Sequence, residues 1–160
     1  MDRETLKIRK ATWRDADCMW QIRKEAILAI PDACYSKEQR ELWAMRDLPD
    51  GFVEILKTDC WYVGLLSGRI IATGGLDPVK KSLEGLFVQP AYQGQGIAGL
   101  LLREVEQLAV AKSYKKIVLE STPVAEGFYK KHGFKSLEKA SYCAAAGLKL
   151  PCVRMEKKLN

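Results

Sequence analysis

Histidine is nearly missing from this chain, which holds one, His132, in 160 residues. The five cysteines, Cys18, Cys34, Cys60, Cys143 and Cys152, are odd in number and never stand as C-x-x-C. A disulfide scaffold or a zinc site depends on such pairing, so they read as reduced core thiols in a reducing compartment, with no metal site. No run of about 18 apolar residues occurs, which excludes a spanning helix. The opening MDRETLKIRKATWRD is charged where a secretory leader would be apolar. The expectation is a soluble cytoplasmic protein with no membrane segment. Repeats, low-complexity tracts and linkers are absent too, so residues 1–160 should form a single domain. Zinc-finger spacing, aromatic RNA-binding strand motifs and a basic zipper are likewise missing. The net charge of +6 therefore reads first as a solvated surface, and nucleic acid is a weak partner class.

What is present suits a compact α+β domain, with 48% hydrophobic residues able to build a sizeable core. LKIRKAT (6–12) alternates like an edge strand. Asp15 is placed to cap a helix whose apolar positions Met19, Ile22, Ala26 and Ile27 recur at helical spacing. Pro31 ends it, and Ser36 with Gln39 forms a capping box for a second helix carrying Leu42, Trp43 and Met45. FVEIL reads as a short apolar turn. CWYVGLL and IIATGGL, joined by SGR, predict an antiparallel hairpin. LEGLFV (83–88) is a third strand, a helix follows with Ile97, Leu100, Leu101, Val105 and Leu108 on one face, and KIVLES (116–121) is the next strand.

Between that third strand and helix lies QPAYQGQGIAGLLL, with Gly94, Gly96 and Gly99 spaced G-x-G-x-x-G. A dinucleotide unit would have strand, glycine loop, helix and strand, with an acid such as Glu120 about 20 residues on. Against it, QPAYQ separates the first glycine from the strand, too little chain follows Glu120 for further βαβ units, and the preceding strands are hairpin-linked. No Gly-Lys-Ser/Thr follows, which removes a Walker A loop. What remains is a glycine turn that presents backbone N–H groups at a helix N-terminus, a seat for phosphate or pyrophosphate.

LFVQPAYQGQGIAGLLL resembles the coenzyme-A loop of the GNAT (GCN5-related) N-acetyltransferases, Gln/Arg-x-x-Gly-x-Gly/Ala entered through V-x-P-x-Y/W. Gln93, Gly96 and Ala98 match the signature, and Val88, Pro90 and Tyr92 match the approach. Downstream, TPVAEGFYKKHGFK resembles the second block of that family, with Ala125, Phe128, Tyr129, Gly133 and Phe134 in place. The stretch AILAIPDACYSKEQRELWAM resembles an uncharacterised bacterial subgroup.

The resemblance implies a GNAT-type mixed α/β fold: a mostly antiparallel sheet flanked by helices, whose two central parallel strands, here LEGLFV and KIVLES, splay apart. It implies acetyl-CoA as cosubstrate, with the pantetheine along Leu86, Phe87 and Val88. The pyrophosphate would lie on the N–H groups of Gln93, Gly94, Gln95, Gly96, Ile97 and Ala98. Thr122 stands where many members carry an asparagine against the pantetheine. Tyr129 matches the general acid and the Leu86 N–H would polarise the thioester. Glu84, sharing a face with Leu86 and Val88 by strand alternation, is the base, with Glu120 a weaker alternative.

The implied reaction is direct acetyl transfer to a primary amine in a ternary complex. Rival readings are a non-catalytic acyl-CoA sensor, a basic nucleic-acid-binding protein and a toxin-like enzyme acting on charged tRNA. His132 is expected at an exposed helix end, with Gly133 as its stop. Tyr35, Trp43 and Trp61 line an acceptor pocket or belong to the core. The acceptor, a small-molecule or peptide amine, is left open, as is pairing of edge strands into a homodimer.

Overall fold

Apolar spacing and a few capping residues set the elements. Ser36 starts a helix with reciprocal bonds: the Gln39 N–H donates to Ser36 Oγ at 3.1 Å, and the Ser36 N–H to Gln39 Oε1 at 2.8 Å. Asp15 acts one turn earlier than its spacing predicts. Its carboxylate accepts the Thr12 N–H at 2.7 Å and two bonds from Arg9 at 2.8 and 2.9 Å, tying the first strand to the first helix. The Arg9 guanidinium holds the Asp15 carboxyl below the usual range.

The computed structural model describes residues 5–145 and 147–160. In chain order the elements are β1 (Lys7–Lys10), α1 (Ala16–Leu28), α2 (Lys37–Ala44), α3 (Asp50–Leu56), β2 (Trp61–Leu66), β3 (Arg69–Asp77) and β4 (Ser82–Val88). Then come α4 (Ile97–Ala111), β5 (Lys116–Ser121), α5 (Glu126–Lys131), β6 (Lys135–Ala145) and β7 (Leu148–Lys158). FVEIL, predicted as a turn, is most of α3, because Pro49 and Asp50 open a helical turn that buries Phe52 and Leu56.

The sheet runs β1-β2-β3-β4-β5-β7-β6. Every neighbouring pair is antiparallel except β4 and β5, which are parallel. This is the mostly antiparallel α+β architecture the resemblance implies, and it leaves no place for a doubly wound dinucleotide unit. α4 packs Leu101 against Gly64 and Gly74 on one face of the sheet. Its buried stripe is Ile97, Leu101, Leu102, Val105 and Ala109, and Leu100, expected inside, is 40% exposed. No helix among the described residues is long and apolar enough to cross a membrane. Of the cysteines expected in the core, Cys60 and Cys152 are buried and Cys18 and Cys143 are exposed; all five are free.

Trp61 organises the opposite face. Its indole lies so close over β3 and β4 that a Cβ on Gly75 would stand 2.1 Å from it and one on Gly85 2.5 Å. Gly85 also has φ +58°, a backbone that costs an L-residue about 1–2 kcal/mol. With overpacking of about 1–3 kcal/mol, Gly85→Ala should lower stability by about 3 kcal/mol, read as a fall in the urea midpoint at unchanged m-value.

Candidate active site

β4 and β5 touch once. Ser82 pairs with Val118, the Val118 N–H donates to the Lys81 carbonyl at 3.2 Å, and beyond that the strands part. β5 turns its other edge to β7 along its whole length, so from Glu84 to Val88 the outer edge of β4 faces a gap. The Gln89 N–H bonds the Ile71 carbonyl. By antiparallel alternation Phe87 then points its main-chain groups at β3, while Val88 and Leu86 turn theirs to the gap.

The glycine loop closes one end of this gap. Pro90 opens a single 3-10 turn, and the Gln93 amide donates back to the Val88 carbonyl at 3.0 Å, bracing the loop on the strand it leaves. Gly94 and Gly96 have φ +78° and +83°, and a Cβ at either would meet no protein atom within 4 Å. Left-handed glycines beside right-handed residues turn successive N–H groups inward as an anion nest. Gly96 is the residue from which the fifteen-residue α4 starts, so the first N–H groups of the helix, at Ile97 and Ala98, extend that nest. The cradle fits a pyrophosphate.

Gly99 answers to packing instead. The ring of His132 lies across it, and a Cβ there would stand 2.9 Å from His132 Nε2. His132 is half-buried rather than exposed, with Nδ1 2.9 Å from the Phe128 carbonyl oxygen and its ring 4.4 Å from that of Phe128. Gly133 does end α5, as expected.

A bulge redraws the face of β4. Thr73 pairs with Phe87 and Gly75 with Glu84, so β4 spends two residues, Gly85 and Leu86, opposite Gly74 alone. The Gly85 carbonyl accepts the Thr73 hydroxyl at 2.7 Å. The extra residue switches the parity: Glu84 shares the Trp61 face with Phe87, whereas Leu86 meets Gly74 on the α4 face. Glu84 therefore does not share the face of Leu86 and Val88, as plain strand alternation predicts, because the bulge intervenes. Glu84 is half-buried, and burial lifts its carboxyl above the ordinary glutamate value against the Ser82 hydroxyl, which donates to it at 2.7 Å. Glu120 is exposed on β5 and adds to that upward push.

Tyr129 is set by the spacing Y-x-x-x-G-F. The Phe134 N–H donates to the Tyr129 carbonyl and the Gly133 N–H to the Lys130 carbonyl, with Gly133 at φ +91°. This is a Schellman stop, and its apolar contact is Phe134 packed edge-to-face on Tyr129, centroids 5.6 Å apart. Tyr129 is 8% exposed, and among the described residues none hydrogen-bonds its hydroxyl. Burial and the Glu84 charge push its pKa well above the ordinary tyrosine value. Thr122 stands at the end of β5, where its carbonyl accepts the Ala125 N–H and the Ser121 hydroxyl.

On the Trp61 face α1, α2 and the β6–β7 hairpin gather around Trp43. Tyr35, Trp43 and Trp61 are core residues, 2%, 7% and 9% exposed, and Tyr35 donates to the Pro151 carbonyl at 2.6 Å. Tyr142, which the sequence did not single out, packs edge-on against Trp43 at 5.8 Å. Arg23 was also missed. It occupies the buried stripe of α1 between Met19 and Ala26, 8% exposed, and a charge on an apolar stripe was the available signal.

Residues 49–159 match the model of the GNAT acetyltransferase domain, and the chain belongs to that family. It is 24% identical over 104 residues to the uncharacterized N-acetyltransferase YafP of Escherichia coli, covering 65% of this chain and 64% of YafP. It is 34% identical over 83 residues to the N-acetylaspartate synthetase of Xenopus tropicalis, covering 48% of this chain and 31% of the synthetase. The chain thus spans less than two thirds of either relative. Among solved structures, a GCN5-related N-acetyltransferase of Rhodopseudomonas palustris superposes with TM-score 0.83 at 22% identity over 99% of both chains. The PaiA N-acetyltransferase of Thermoplasma acidophilum, solved with coenzyme A, gives 0.79 at 21% identity over 96% of this chain and 99% of its own.

Proposed function

We propose that residues 1–160 form one N-acetyltransferase domain that moves an acetyl group from acetyl-CoA to a primary amine by direct transfer. The observation that carries this is the gap between β4 and β5, with an anion nest at its end and Glu84 and Tyr129 beside it. The main-chain groups of Leu86 and Val88 hold the pantetheine as an added strand; those of Phe87, expected there too, are turned to β3 instead. The N–H groups of Gly94, Gln95, Gly96, Ile97 and Ala98 hold the pyrophosphate, that of Gln93, expected among them, being given to the Pro90 carbonyl at 3.3 Å, and Thr122 lines the opposite wall. The bound thioester supplies an activated acyl group. The Leu86 N–H polarises its carbonyl as negative charge builds there. Glu84 reaches the amine from the Trp61 face, through a water, and takes its proton. Tyr129 keeps its own proton at neutral pH and offers it to the sulfur as the thiolate departs.

Glu84 predicts two opposed effects of one change. A base must be ionised, so kcat/KM should fall as pH drops through its raised pKa. Glu84→Gln should erase that limb and lower the plateau by about 100-fold. A carboxyl whose pKa is raised by folding contributes stability below its unfolded value, and loses it as pH rises through the folded one. Glu84→Gln should therefore raise Tm at neutral pH, with the gain vanishing below about pH 4. A slower enzyme with an unchanged pH profile would assign the proton to another group.

A further inference from the structure

On the Trp61 face, the meeting of α1 and the end of α2 brings two arginines, Arg23 and Arg46, to one corner. Arg23 is 8% exposed, and its guanidinium donates to the Trp43 carbonyl at 2.9 Å and the Ala44 carbonyl at 3.5 Å, capping the end of α2. Its Cζ lies over the Trp20 ring, 4.1 Å from the centroid. The Trp20 indole N–H in turn donates to the Arg46 carbonyl at 2.8 Å, which brings Arg46 to the same corner. Neither arginine forms a salt bridge among the described residues. Burial pulls Arg23 down to about 10, against an upward push from Tyr142 and with a smaller downward one from the Arg46 charge.

Tyr142 joins this corner to the reacting end. Its ring packs on Trp43, whose carbonyl Arg23 binds, and it belongs to the cluster that holds Phe87, the neighbour of Glu84 on their shared face. Its phenol is lifted by burial and by Glu84 and Glu120, and lowered by Arg23 and Arg46, so both charge groups lie within electrostatic reach of one side chain. Carboxylates therefore stand at the gap and guanidiniums at the far wall, with aromatic rings between them.

We propose that Arg46 and Arg23 form an anion-binding wall of the acceptor pocket, so that the acceptor is an amino acid or another amine bearing a carboxylate. This rests on the transferase reading above, with Glu84 at the ammonium end. An exposed guanidinium with no salt bridge among the described residues, as at Arg46, can bind a carboxylate through two parallel N–H bonds. The same wall repels a polyamine, whose second cation would meet Arg46. Arg46, exposed, is the adjustable member; Arg23 is anchored to α2 and supplies field and support.

The test compares amino acids with the amines left when the carboxylate is removed: L-phenylalanine against 2-phenylethylamine, L-glutamate against 4-aminobutyrate for its α-carboxylate, and glycine and β-alanine against methylamine and ethylamine. Spermidine serves as the polycation. Thiol release from acetyl-CoA gives kcat and KM for each. The expected result is preference for at least one carboxylate-bearing member over its partner by about 100-fold in kcat/KM, with spermidine poorest. Arg46→Ala should remove most of that preference through KM, and Arg46→Glu should turn it toward spermidine. Equal rates within every pair, faster release with spermidine, or no release with any amino acid would overturn the inference, as would a preference that survives Arg46→Glu. Calorimetry with acetyl-CoA separates the two readings: failure to bind it would overturn the transferase reading itself, whereas binding with the wrong acceptor preference would overturn only the anion wall.

Discussion

Gly96→Glu should abolish acetyl-CoA binding while the protein stays folded. Gly96 stands at φ +83° with no protein atom within 4 Å of where a Cβ would lie. The new side chain would thus enter the space the loop keeps for an anion. A carboxylate there opposes two phosphates at close range, where screening is weak, and an affinity loss of more than about 100-fold corresponds to about 3 kcal/mol. The strain of a left-handed glutamate, about 1–2 kcal/mol, is offset in part because a negative charge suits a helix N-terminus. Titration calorimetry should give no heat from the variant, and its thermal transition should stay within a few degrees of the parent. Gly96→Ala separates the causes: it carries the strain without the charge and should keep binding within about tenfold. Equal affinity in parent and Gly96→Glu would move the phosphates off this loop.

Tyr129→Phe should lower kcat by about 100- to 1000-fold and leave KM and the acetyl-CoA affinity almost unchanged. The ring keeps its contacts with Phe128 at 5.1 Å and Phe134 at 5.6 Å. Among the described residues no hydrogen bond to its hydroxyl would be lost, so Tm should hold or rise. Rate loss without stability loss is what a proton donor gives and a packing tyrosine does not. An unchanged kcat would mean that the thiolate takes its proton elsewhere. The same measurement separates an enzyme from an acyl-CoA sensor, which has no rate to lose.

The two motif blocks were legible because each has a local cause. In the first, Gln93 bonds back to Val88 and Gly94 and Gly96 take left-handed backbone, all within nine residues. In the second, the spacing of Tyr129, Gly133 and Phe134 is that of a helix stop. The β2–β3 hairpin is legible in the Ser-Gly between two apolar strands, whereas the splayed pair is what the resemblance implies. What escaped depends on partners distant in sequence. The bulge at Gly85 exists because Trp61, two strands away, covers Gly75 and Gly85 together. A glycine inside LEGLFV was the visible hint, yet the alternation around it looked regular, and Glu84 was placed on the wrong face. Gly99, third glycine of the G-x-G-x-x-G spacing, clears space for His132, over thirty residues on. Cys18 and Cys143 were expected inside because their neighbours are apolar; both point outward from their elements. Arg23 and Tyr142 carry no motif, and only the meeting of α1, α2 and the last hairpin brings them together around Trp43.

The transfer itself is tested most directly by incubating the protein with acetyl-CoA and a pool of amines, following thiol release and the masses of both protein and amines. Direct transfer predicts free coenzyme A in step with an acetylated amine, no release without an amine, and a protein mass that never shifts. An acetylated protein formed before any amine is added, or thiol release with no acetylated amine, would contradict the account.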